Sequence, residues 1–72
     1  MIFNERIKTL RVERGLTQDS VAKGMDMPVR SYQRLEMDGA KTHYDTLITI
    51  ADFYEVSVDW LMGRTDKREV NR

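Results

Sequence analysis

Apolar residues recur at three- and four-residue intervals along most of this chain, and no segment alternates as a strand would. That period lines one side of a helix. Ile7 and Leu10 share a face of a first helix that Asn4 can cap and Gly15 can end, because glycine takes the left-handed closing conformation without strain. Thr17 is a good N-cap for a second helix with Val21, Ala22 and Met25 on its inward side. Asp26 follows, a residue type that tolerates the left-handed turn. Pro28 suits the first turn of a third helix, in which Tyr32 and Leu35 form the inward stripe and Gly39 closes the end. Beyond "AKTH", a fourth helix from about Tyr44 to Tyr54 carries Leu47, Ile48, Ile50, Ala51 and Tyr54. Ser57 then caps a short fifth helix with Val58, Leu61 and Met62. The pattern predicts an all-α, compact five-helix domain over residues 1–63. The remainder, 64–72, is a polar C-terminal tail expected to fray and to carry solvated charges.

Seventy-two residues suffice for one small domain, whose core is too modest to enclose a large substrate cavity. Cysteine is absent, which excludes disulfides, thiolate metal sites and a cysteine nucleophile, and fits a reducing, cytoplasmic setting. No apolar run approaches the roughly 20 residues that span a bilayer. Charges inside "MIFNERIKTL" argue against a signal peptide.

Twelve basic residues balance twelve acidic ones, which by itself weighs against a nucleic-acid binder. The balance hides an asymmetry. Residues 1–34 carry seven cations and four acids, whereas residues 35–63 carry Lys41 against six acids. A chain with no net charge can therefore still turn a basic face towards phosphate.

Two short helices separated by a tight turn, over about residues 17–38, are the layout of a helix-turn-helix. Small Ala22 permits close helix approach, Asp26 supplies the turn, and Arg30, Ser31, Gln33 and Arg34 make the third helix polar or basic on its outer side. "LTQDSVA", then "SYQRLE" followed by a glycine, then "TLITIADFYEVSVDWLMG" resemble, in register, the lambda-repressor and Cro-type helix-turn-helix family, also called XRE. The resemblance runs from about Arg6 to Gly63. The compact single domain is also similar to small phage regulators that oppose a lysogeny repressor.

The resemblance implies roles. Gln18 matches a glutamine that contacts phosphate and braces the recognition helix. Val29, Arg30, Ser31 and Arg34 match positions facing base edges or the adjoining backbone, and Gln33 a flanking outward position. Lys41, Thr42 and His43 fall in a loop that commonly touches phosphate. Arg11 and Glu36 match an ion pair joining the first and third helices. Chemistry divides these roles further. Arg30 or Arg34 can bond bidentately to guanine, whereas Val29 can only pack on a thymine methyl. Gln18 and Lys41 would fix register without reading sequence. The chain departs from the family pattern at Pro28, where a Ser or Thr cap is usual, at Thr42 for a common proline, at Glu55 for a common Gly or Asn, and at Val29 for a frequent polar reader.

Some residues admit plainer readings. Tyr32 is in register with Leu35 and is core rather than a stacking platform. Trp60 is either an interface anchor or a cover for the core edge. His43 has no second His or Cys to help it hold a metal, and neither a metal nor another cofactor is expected. Glu36 and Asp38 lie two apart, on different sides of a helix, so they make no acid–base pair. With no nucleophile constellation or Gly-rich phosphate loop, an enzyme is not expected.

Two functions therefore compete. One is a transcriptional regulator of a phage lysogeny–lysis switch, binding operator DNA as a homodimer or weakly as a monomer, alone or with a repressor. The other is an antirepressor that occupies a phage repressor's DNA-binding domain, either through Met27, Pro28, Val29, Arg30, Gln33 and Met37 or through its acidic middle, which can imitate phosphates.

Overall fold

Residues 2–37 and 42–69 are described by the computed structural model. Helices span Ile2–Glu13 (α1), Gln18–Gly24 (α2), Val29–Leu35 (α3), Tyr44–Tyr54 (α4) and Val58–Leu61 (α5). The described residues contain no strand, and the five-helix order is the one the apolar spacing predicts. The expected Gly39 closure of α3 and the role of Lys41 lie outside the described residues.

Caps set the boundaries. The Thr17 hydroxyl accepts from the Ser20 amide at 3.0 Å, and the Ser20 hydroxyl accepts from the Thr17 amide at 3.1 Å, a reciprocal capping box. Ser57 accepts from the Trp60 amide at 2.9 Å and so caps α5. Two expectations fail here. α1 begins at Ile2, so Asn4 lies inside it and donates its amide to the Glu36 carbonyl at 3.4 Å instead. Pro28 is the N-cap of α3 rather than its first turn, extended at φ −61° and ψ 144°, with no side-chain bond to offer.

Four helices close on a left-handed residue: Gly15 at φ 65° after α1, Asp26 at φ 56° after α2, Glu55 at φ 56° after α4 and Gly63 at φ 77° after α5. Each makes the same two bonds. The Leu16 amide reaches the Arg11 carbonyl while that of Gly15 reaches Val12. Met27 likewise bonds Ala22 and Asp26 bonds Lys23, Val56 bonds Ala51 and Glu55 bonds Asp52, and Arg64 bonds Asp59 and Gly63 bonds Trp60. These paired bonds satisfy the last carbonyls of each helix and turn the chain sharply back onto the core.

Every helix contributes to one apolar interior. Ile7, Leu10, Val21, Tyr32, Ile50, Tyr54 and Leu61 are essentially inaccessible to water. Ile48 and Val58 are half-buried, and Met62, expected on the inward face of α5, is exposed while Trp60 is buried in its stead. Gly24 sits so close to Phe53 that a β-carbon there would overlap the ring, so a glycine brings α2 against α4.

The tail is bonded back to the domain as far as Arg68. The Ser57 amide donates to the Arg68 carbonyl at 2.8 Å, and Arg68 forms a bidentate pair with Glu13 of α1, both contacts at 2.9 Å. The Arg6 and Arg68 guanidinium groups lie 4.6 and 4.8 Å from the Trp60 ring centroid, so Trp60 covers the core edge between two cations.

Among the described residues Glu55 is the one long side chain held in the left-handed region, where an L residue is disfavoured by about 1–2 kcal/mol. Glu55→Gly is therefore expected to raise stability by about 1 kcal/mol and the thermal midpoint by roughly 4–8 °C. Circular dichroism melts check this; an unchanged or lower midpoint would mean that Glu55 carries no strain.

Candidate nucleic-acid interface

Seven residues form α3, too few for a helix to persist in water without support. Its orientation therefore comes from what grips it. Tyr32 and Leu35 point into the core, and the Tyr32 hydroxyl lies 3.0 Å from that of Tyr54 on α4. Burial pushes both phenols up from their ordinary pKa, so both stay protonated.

The C-terminal end of α3 is held by charge. Glu36 accepts two bonds from Arg11, at 2.7 Å from Nε and 3.1 Å from Nη2, and Arg11 Nη1 donates to the Leu16 carbonyl at 3.0 Å. The Glu36 side chain is 5% accessible and that of Arg11 15%. Gln18 donates to Glu36 at 3.2 Å and accepts from Gln33 at 3.3 Å. Desolvation acts to raise the Glu36 carboxyl, but the hydrogen bonds from Arg11, with that from Gln18, act against it and the group lies below the usual carboxylate range. The Arg11 bond to Glu36 raises the guanidinium in turn. The expected pair between the first and third helices is thus present, and the bracing expected of Gln18 is visible as contacts at both of its amide atoms.

The outer side of α3 is Arg30, Gln33 and Arg34, spaced i, i+3 and i+4 and all exposed. Ser31 is exposed on the flank towards α4. There it shares a depression of about 520 Å³ with Arg34, Thr42, His43 and Thr46. On the opposite flank Gln18 and Gln33 share another, of about 450 Å³, with Lys8, Thr17 and Met37. The candidate residues are therefore brought to one side of the molecule, in two groups flanking the α3 stripe. Val29 and Met27 pack half-buried against the core, while Pro28 and Met37 are exposed, so the "MDMPV" tip presents less apolar surface than its composition suggests.

Lys8 and Thr46 were not among the residues read from the sequence. Lys8 lies three positions before Arg11 and so on the same side of α1, a spacing that points to it once Arg11 is placed. The fold also shows where the other cations of the first half go. Arg6 donates to the carbonyls of Trp60 and Thr65, Arg14 donates to the Tyr54 carbonyl and stacks on its ring, and Lys23 lies 3.8 Å from Asp19. Arg30 and Arg34 make no ion pair among the described residues.

The molecule is thus a small all-helical domain whose second and third helices present a braced, polar-faced helix. A family model described as Helix-turn-helix matches residues 7–61, and the chain belongs to that family, which bears out the resemblance to lambda-repressor and Cro-type proteins. It is 32% identical over 65 residues to the uncharacterized HTH-type transcriptional regulator YobD of Bacillus subtilis, covering 90% of this chain and 58% of YobD. It is 28% identical over 71 residues to the HTH-type transcriptional regulator ImmR of the same organism, covering 99% of this chain and 56% of ImmR. To the cryptic phage CTXphi transcriptional repressor RstR of Vibrio cholerae it is 31% identical over 65 residues, covering 90% and 59%. The chain thus spans a little under three-fifths of the length of these relatives. No solved structure matches it at a comparable level of significance.

Because the folded carboxyl of Glu36 lies below the ordinary value of 4.5, its contribution to stability is fully present above that value and lost as pH falls through the folded one. Glu36→Gln is expected to cost about 2 kcal/mol at neutral pH and to flatten the acid limb of the stability profile. Urea midpoints measured for both proteins across the acid range test this. Parallel profiles would remove Glu36 from the acid dependence.

Proposed function

We propose that this domain is a DNA-binding transcriptional regulator in a phage lysogeny–lysis switch, and that α3 enters the major groove of operator DNA. The observation that carries this reading is the exposed Arg30, Gln33 and Arg34 stripe on a helix locked at its far end by Glu36, Arg11 and Gln18. Guanidinium groups at that spacing suit guanine O6 and N7, and Gln33 suits adenine. Gln18 retains a second amide hydrogen for a phosphate, and Ser31, Thr42 and His43 line the other flank towards the backbone. The phage setting is supported by similarity to a named phage repressor.

A second reading, the antirepressor, is favoured by one observation. Arg6, Arg11 and Arg14 are turned inward on protein acceptors, so a molecule without net charge keeps few cations for phosphate. In that reading the α3 surface, with exposed Pro28 and Met37, covers the DNA-binding domain of a repressor. Gel filtration with such a domain separates the two. A heterocomplex weakened by Met37→Asp favours the antirepressor, and independent elution sinks it.

For the DNA reading, Arg30→Ala and Arg34→Ala are each expected to cost about 1–3 kcal/mol of specific binding. The salt dependence should be shallow, because each phosphate contact contributes a slope of only about −0.9 and few cations remain. Fluorescence anisotropy on the chain's own upstream DNA at two salt concentrations measures both. Operator affinity unchanged in both variants removes direct readout by α3.

A further inference from the structure

We infer that Glu13, Ser57 and Trp60 form a docking site for an arginine in an extended segment of a partner protein, and that the chain's own Arg68 fills this site in the free molecule. This goes beyond the readings above, which use α3 and its flanks.

Two helices build the site. Arg6 and Glu13 lie seven residues apart, hence on one side of α1, and both reach α5 or the tail. Lys8 and Arg11 take the side towards α3. The Glu13 carboxylate receives both arms of the Arg68 guanidinium at 2.9 Å. That guanidinium also lies 4.8 Å from the centroid of the Trp60 ring, which Arg6 steadies from 4.6 Å. The Ser57 amide donates to the Arg68 carbonyl at 2.8 Å, and the Ser57 hydroxyl to the Lys67 carbonyl at 3.3 Å. The carboxylate matches a planar fork, the ring matches a flat cation, and the Ser57 donors match an extended backbone. Arginine satisfies all three, whereas lysine brings a point charge without the fork.

The present occupant is held by polar contacts alone. Residues 64–69 bury no side chain, and all of them are exposed except half-buried Thr65. Arg6 adds a bond to the Thr65 carbonyl at 3.1 Å and lies 3.8 Å from Asp66. The Arg68 and Glu13 side chains remain 44% and 47% accessible, so water competes for both. A segment attached in this way opens at far lower cost than the apolar core that closes with Leu61. An arginine-bearing segment that makes further contacts of its own can then take the place of Arg68. A second copy offers only the same tail, and would exchange equal contacts while losing the freedom of two separate molecules.

The test follows the fluorescence of Trp60, the only tryptophan of the chain. Arg68→Ala empties the guanidinium position in the full chain without changing a buried residue, so the melting temperature should stay close to that of the parent. Arg68→Lys serves as a second variant that removes the fork and keeps the charge. An acetylated peptide TDKRE, the sequence of residues 65–69, should change Trp60 emission saturably in both variants, and salt should weaken its binding. The parent chain should need about tenfold more peptide, because its tethered Arg68 competes. The same peptide with lysine for its arginine should bind about tenfold more weakly. Adding Glu13→Gln to Arg68→Ala should abolish the response. Four results overturn the inference: no saturable response in either Arg68 variant, equal response of parent and variants, equal response to the two peptides, or a response that survives Glu13→Gln. Self-association of the parent in sedimentation equilibrium that Arg68→Ala removes would overturn it too, by making the occupant a second copy.

Discussion

The architecture hangs on the contact between Arg11 and Glu36. One guanidinium joins α1, the carbonyl of Leu16 before α2 and the carboxylate after α3, with bonds of 2.7 to 3.1 Å. Two helices of seven residues each have little stability of their own, so their mutual angle is set by such links and by the apolar face beneath. A largely desolvated ion pair contributes little net stability against apolar alternatives of the same shape. Its value here is directional. The fork of Arg11 accepts one carboxylate orientation, Gln18 and Gln33 continue the network to the surface, and the Tyr32–Tyr54 hydroxyl contact fixes the opposite side of α3.

That construction consumes arginine. Arg6 and Arg68 flank Trp60, Arg14 lies on Tyr54, and Arg11 serves Glu36. Each guanidinium gives its charge to a carbonyl, a carboxylate or an aromatic face of the same molecule. A count of cations in the first half of the chain therefore overstates the basic character of its surface. Of the cations in that half, Arg30 and Arg34 on α3 and Lys8 on its flank remain exposed, which suits selection by side-chain geometry better than attachment by bulk charge.

The fold was legible where local physics decides it. The apolar period located all five helices, Thr17 and Ser57 cap as their hydroxyls suggest, and Asp26 turns as its short side chain allows. The Arg11–Glu36 pair was readable only through family resemblance, because no periodicity links residues 25 positions apart. Other features escaped for the same reason. Asn4 reads as a cap by type, yet its partner is a carbonyl 32 residues away. The tail is polar throughout, and only the fold brings Glu13 to Arg68 and Trp60 beneath it. Gly24 looks like a helix-weakening residue until Phe53 is seen to occupy the space a side chain would need. At the candidate interface, the outward stripe of α3 followed from helical spacing, but the half-burial of Met27 and Val29 depended on how the turn folds back onto the core.

Helix α4 stands between the flank of α3 and a hollow beside α5. His43, its N-cap, and Thr46 line the α3 flank, Tyr44 and Ile48 line the hollow beside α5, and Leu47, Ile50, Ala51 and Tyr54 anchor it in the core. A ligand on one side changes affinity on the other only if the two bound states differ in their contacts. With Ile50 and Tyr54 wholly enclosed and Tyr54 bonded to Tyr32, a rotation of α4 would break packing and a buried hydrogen bond together.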